Sequence, residues 1–192
     1  MNQHSFGQRA EDNLQFIRST MERSTRFTGV SGWGGVGMGG VGMGVAVIAM
    51  SYDIGSREWL LIWLLGAAVA APIGAISIWR KARRTGVPFA GASGRAFALC
   101  FFPVVVAGVV VTWAIAATSP ISLPTVWLSM YGAGIMAGGA FSVRVLPILG
   151  AGFLVLAAAA AIAPSWGNTA LLLGFGVLHA AFGAYIAARF DG

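Results

Sequence analysis

Chemistry requires side chains that ionise, ligate or attack, and few such residues in this 192-residue chain stand where they could act together. His4 and His179 lie 175 positions apart, and Cys100 is the one cysteine. His4 belongs to a polar amino-terminal stretch, so two histidines do not reach a shared haem, and no Cys/His/Asp/Glu cluster has metal-ligand spacing. The six carboxylates are Glu11, Asp12 and Glu22 in the amino-terminal stretch, Asp53 and Glu58 in one turn, and Asp191 at the end. None falls in an apolar run, which argues against acid-dependent ion coupling. Trp33-Gly34-Gly35-Val36-Gly37-Met38-Gly39-Gly40 is glycine-rich but lacks the Gly-Lys-Ser/Thr ending of a phosphate loop. His179 is the exception. It sits inside an apolar run, where an ionisable residue is a functional hypothesis by default. A neutral imidazole there can hydrogen-bond across helices, with Ser129, Tyr131 and Thr112 as candidate partners. The favoured reading is a paired, structural histidine.

One nucleophile reading can be tested by position. Gly91-Ala92-Ser93-Gly94 together with His179 resembles the serine–histidine dyad of rhomboid intramembrane proteases. That family's serine opens the fourth span, whereas Ser93 precedes the third, in a basic loop. A mid-membrane His179 would lie on the order of 15 Å in depth from it, and a nucleophile must be within about 3 Å of its base. The expectation is no enzyme, no cofactor and no metal.

The elements that carry these residues follow from composition. Hydrophobic residues make up 57% of the chain and charged residues 9%, against about 25% charged in an average soluble protein. Six spans of roughly 20 residues would consume about 120 positions, most of the chain. The expected fold is an all-α integral membrane bundle of six helices, with spans near 28–50, 59–79, 96–117, 125–143, 145–163 and 169–188. A cytoplasmic amphipathic helix over 1–27 precedes this 28–189 membrane domain. Similar endings at Gly74–Arg80, Gly139–Arg144 and Gly183–Arg189 fit three helical hairpins in series, although their uneven spacing fits chance equally well.

The first span holds nine glycines between residues 29 and 44. Gly32, Gly35, Gly39, Gly42 and Ala46 recur on one helical face, with Gly37, Gly40 and Gly44 beside it. Helices in lipid associate through close packing, and small residues let backbones approach. Gly32, Gly35, Gly39 and Gly42 are therefore expected to be helix-packing positions in a central helix. Pro72 and Pro103 each remove a backbone donor within a span and should bend it.

Net charge is +6, and its distribution gives an independent reading of topology. With six spans, eleven of the twelve Lys and Arg residues fall on one side and only Arg57 on the other. The positive-inside rule then places both termini in the cytoplasm. The partner implied by this basicity is the anionic cytoplasmic leaflet of a bilayer, not nucleic acid. In the amino-terminal stretch, Phe6, Ala10, Leu14, Ile17 and Met21 form one apolar stripe. That stripe suits either packing on the protein's own bundle, the favoured reading, or docking on a partner or membrane surface.

Phe16-Ile17-Arg18-Ser19-Thr20-Met21-Glu22-Arg23-Ser24, leading into Phe27-Thr28-Gly29-Val30-Ser31-Gly32-Trp33-Gly34, resembles the opening of a group of bacterial six-span membrane proteins of unknown function. The resemblance implies a bacterial inner-membrane location and no particular activity. The resulting expectation is a non-enzymatic component that binds a membrane or cytoplasmic protein partner or senses the bilayer. The alternative is a small transporter or channel subunit.

Overall fold

The computed structural model describes residues 11–17, 21, 28–86 and 91–190. It is built from helices: α1 (Gly32–Ala49), α2 (Arg57–Thr85), α3 (Ala92–Ile115), α4 (Leu123–Gly139), α5 (Val145–Ile162) and α6 (Pro164–Arg189). All of these except α4 are both long and apolar enough to cross a membrane. The expected fourth span is shorter than the sequence suggested. α4 has 17 residues, because the chain leaves the helix at Ala140 to turn through Ser142 and Val143 into α5. α2 is longer, at 29 residues, since the basic stretch after Trp79 continues the helix instead of opening a loop.

Local chemistry explains the boundaries. Ser31 and Ser56 cap α1 and α2 by accepting from the backbone N–H of Gly34 and Trp59, each at 3.2 Å, which satisfies donors that a helix start leaves open. α2 ends where Gly86 takes a φ of +69°, a left-handed conformation that glycine adopts without strain. Gly55, at φ +85°, reverses the chain between α1 and α2 where a side chain would meet Pro120. Pro72 and Pro103 lie inside α2 and α3, and neither terminates its helix.

The helices form two sets of three. α1 lies between α2 and α6, and α4 lies between α3 and α5. Each of the three expected hairpin pairs is in contact, but the third is the loosest. The first two hairpins pack along their length, but α6 packs far more extensively against α1 than against α5. Contacts within a set are made by glycine. A Cβ on Gly39 would stand 2.5 Å from the Ala180 backbone nitrogen, and one on Gly35 would stand 3.0 Å from Gly183 Cα. On Gly32 and Gly42 it would strike the Ala187 nitrogen and the Phe175 carbonyl. The second set repeats the device. Cβ atoms on Gly132 and Gly150 would stand 2.9 Å and 2.7 Å from each other's carbonyl oxygens.

α1 is thus the middle helix of its set, but it is not enclosed. Gly40 and Gly44 have nothing within 4 Å, and Trp33, Val47 and Ile48 are exposed on the same helix. The amino-terminal amphipathic helix falls partly outside the described residues, including Phe6 and Ala10. Residues 11–17 are helical, and Leu14, Ile17 and Met21 are exposed, so this part of the stripe is not buried against the bundle.

Glycines on the two faces of α1 should therefore respond oppositely to the same change. Gly39→Ala and Gly42→Ala are expected to lower stability by about 1–3 kcal/mol through overpacking. Gly40→Ala and Gly44→Ala should be neutral or stabilising by up to about 1 kcal/mol, from helix propensity alone. Thermal melts in detergent distinguish the pairs, and equal losses at all four positions would contradict the assigned face.

Candidate functional site

His179 enters the interior where α6 changes its winding. Residues Leu172–Leu178 form a π-helical stretch between the α-helical segments Gly167–Leu171 and His179–Arg189. Such wide turns are rare and shift the side chains that follow them. The His179 backbone N–H bonds the Gly176 carbonyl, and its ring Nδ1 reaches the Gly174 carbonyl at 3.3 Å. The other ring nitrogen, Nε2, lies 2.8 Å from the Tyr131 hydroxyl on α4.

These two bonds fix the proton positions. A carbonyl oxygen can only accept, so Nδ1 carries the hydrogen and donates to Gly174. In the neutral ring Nε2 then accepts from the Tyr131 hydroxyl. Both ring nitrogens are thereby occupied, and the histidine is 5% exposed. The other two candidate partners are engaged elsewhere. Ser129 donates to the Thr125 carbonyl at 2.7 Å. Thr112 donates to the Gly108 carbonyl and accepts from Trp127 Nε1 at 2.8 Å.

Aromatic rings enclose the pair. Phe153 meets the imidazole edge-on at 5.3 Å and Phe175 stacks on it at 6.0 Å between centroids. Phe101, Phe153 and Phe175 also pack on Tyr131. Gly176 and Gly183, on either side of His179 along α6, both face α1. Gly174 makes room for Leu128 and Phe153, which a Cβ there would meet at 2.7 Å and 3.0 Å.

Towards the start of α2 the seam continues as a tryptophan cluster. Trp59 is fully buried, stacks on Trp127 at 5.2 Å and donates to Asn168 Oδ1 at 2.7 Å. Trp63 packs between Trp127 and Phe175, and its indole N–H is buried without an acceptor. Trp59, at the head of this helix, therefore faces inward.

The opposite end carries a residue that sequence reasoning missed. Lys81 is 7% exposed, and its ammonium donates to the carbonyls of Phe190 at 2.7 Å and Val30 at 3.1 Å. It joins the end of α2 to the approach to α1 and the end of α6. The available signal was periodicity. Gly66, Gly74, Lys81 and Ala82 are the buried side of α2, while Arg80, Arg83 and Arg84 point out.

Ser93 occupies the first turn of α3, not a loop, and neither ring nitrogen of His179 bonds to it. Among the described residues no group of three His, Cys, Asp or Glu is placed to hold a metal ion. Compared with known protein families, curated proteins and solved structures, the chain matches none.

The pair as built is a hydrogen-bonded staple between α4 and α6. Its loss should leave a buried group unpaired at about 1–3 kcal/mol. Tyr131→Phe and His179→Leu should each cost that much, whereas the double variant should cost less than the sum, because each single change orphans the other partner. His179→Asn and His179→Gln, which retain hydrogen-bonding groups, should be milder than His179→Leu. Detergent melting curves measure all of these, and additive losses would remove the pairing. Lys81→Met should cost about 1.5–3 kcal/mol, the range for a hydrogen bond to a charged group. It should also raise hydrogen exchange at the chain end near Phe190.

Proposed function

We propose that this protein is a six-span component of a bacterial inner membrane. It acts through contacts with a membrane or cytoplasmic protein partner, or with the bilayer itself, and not through catalysis. The observation that carries the reading is the closed interior. His179, the ionisable residue that invited a chemical role, has both ring nitrogens occupied beneath packed aromatic rings. What remains for interaction is the outside of the molecule, including the exposed Leu14, Ile17 and Met21 of the amino-terminal segment.

Large apolar side chains cover that exterior, among them Trp113 at 88% and Ile162 at 86% exposure. Such a surface is tolerable in lipid and a liability in water. The short α4 fits a sixth crossing because the 3₁₀ turn Pro120–Ser122 leads directly into it. Three residues at about 2 Å and 17 at about 1.5 Å each give about 31 Å, close to the hydrocarbon thickness of about 30 Å. Charge supports the orientation. Trp127, near the start of α4, stacks on Trp59 near the start of α2, so the end of α4 lies with the end of α2. The Lys81 bonds bring the approach to α1 and the end of α6 to that same level. Arg80, Arg83, Arg84, Arg144 and Arg189 therefore gather at one end, and Arg57 begins α2 at the other.

The second reading, a small transporter or channel subunit, draws on the π-helical stretch and on the unpaired Trp63 indole N–H. A wide turn and a buried donor without an acceptor are features that functional sites often carry.

Reporter fusions at the two chain ends should both give cytoplasmic signals, and the protein should stay in the membrane through carbonate extraction. An extracytoplasmic signal from the carboxyl end alone would mean an odd number of crossings and overturn the assignment. Purification in mild detergent should retain a stoichiometric protein partner in the first reading. Solute flux in proteoliposomes, abolished by His179→Leu with melting unchanged, would favour the second.

A further inference from the structure

The last turns of α2 carry more positive charge than the fold uses. Lys81 is turned inward and bonded to Val30 and Phe190, whereas Arg80, Arg83 and Arg84 are exposed on the outer side. Positions 80, 83 and 84 are neighbours on a helix surface, so three guanidiniums share one stripe. Like charges at that spacing repel, and nothing described on α2 offsets them. Its one carboxylate, Glu58, lies in the first turn at the opposite end.

Below the arginines the same helix turns apolar. Ile76 and Trp79 are exposed, and the Arg83 guanidinium lies 4.6 Å from the centre of the Trp79 ring. Stacking on an indole holds the guanidinium flat while leaving its N–H edge open. At the end of α6, which Lys81 holds beside α2, Arg189 stands 6.0 Å above Tyr185 in the same manner. The helix length sets the depth. α2 has 29 residues, or about 43 Å, against a hydrocarbon core of about 30 Å. Its surplus turns therefore emerge at headgroup level, with the indole at the interface and the guanidiniums among phosphates.

We infer that Arg80, Arg83 and Arg84, set above Trp79 and Ile76, form a binding site for the headgroup of an anionic phospholipid in the leaflet at that end. A guanidinium binds a phosphate through paired N–H donors, and the exposed Trp79 and Ile76 contact the upper acyl chain. Lys81 contributes by fixing the helix from behind, so the three arginines are presented on a rigid element. A soluble phosphate would use the arginines alone, whereas a lipid also uses the apolar step beneath them. This inference rests on the membrane reading above and adds residues and a ligand class to it.

Full-length protein purified with mixed lipids tests the site by native mass spectrometry, comparing retained phosphatidylglycerol with phosphatidylcholine. The wild type should retain the anionic lipid preferentially, and Arg80→Gln/Arg83→Gln/Arg84→Gln should lose that preference by at least about tenfold, given about fivefold per basic residue near a membrane surface. Arg57→Gln at the other end should leave it unchanged. Inorganic phosphate at the lipid's concentration should not displace it. Equal retention of the two lipids by the wild type, an undiminished preference in the triple variant, or displacement by phosphate would overturn the site. If the triple variant elutes as aggregate, the three single Arg→Gln variants carry the test, each losing about fivefold. Carbonate extraction separates the two levels. Release from the membrane contradicts the membrane reading, while a retained protein without headgroup preference contradicts only this site.

Discussion

The backbone contact between α1 and α6 organises the rest of the molecule. The two helices are the first and last of the bundle, and they meet where Gly32, Gly35, Gly39 and Gly42 lie against Gly176, Ala180, Gly183 and Ala187. A glycine within a helix costs about 1 kcal/mol relative to alanine, so a face built from glycines is stable only when a partner backbone fills the space. That approach draws α6 away from α5, its neighbour in sequence, and closes the chain on itself. It also turns the other side of α6, with Phe175 and His179, toward α4 and α5.

Two kinds of contact therefore divide the work. Within each set of three helices, glycine permits close approach, to a partner backbone between α1 and α6 and to side chains such as Phe97 over Gly138 and Val45 over Gly66. Between the sets, rings fill a wider seam running from Trp59, Trp63 and Trp127 through Phe175 to Tyr131, Phe153 and His179. The seam buries polar atoms with the rings, and nearly all of them are matched. Trp59 is bonded to Asn168, Trp127 to Thr112, and Tyr131 to His179. In an apolar interior these bonds select one pairing of rings among the many that would satisfy volume alone. The Trp63 indole stands apart as the buried donor that this arrangement leaves over.

Among the described residues, charge is excluded from the interior with one exception, Lys81. The exposed arginines sit near helix ends, whereas the Lys81 ammonium is buried on backbone carbonyls of two other segments. A buried ammonium is stable only with such partners. The same requirement makes Lys81 a fixed point that aligns three chain segments at the basic end. The arginines at positions 80, 83 and 84 lie on the other, exposed side of the same helix.

The class of structure is legible in the chain alone. Its paucity of charge, its apolar runs and the clustering of its arginines specify long apolar helices and where most of them begin and end, because helix length and burial depend on local composition. The spacing of Gly32, Gly35, Gly39 and Gly42 likewise marked a close-packing face, since 3.6-residue periodicity is local. The partner of that face was not legible. Pairing α1 with α6 instead of leaving it to a hairpin is a choice among non-local contacts, and a glycine face has no side chain that could encode its complement. Periodicity also set Gly40 and Gly44 beside that face, but that they border open space depends on where α2 and α6 lie. His179 stood out by type, but its bond to Tyr131 depends on a π-helical turn in α6 and on where α4 lies. The burial of Lys81 depends on where Val30 and Phe190 arrive. Those positions are set only when the whole bundle closes, because each hydrogen bond requires backbone groups from distant segments within about 3 Å.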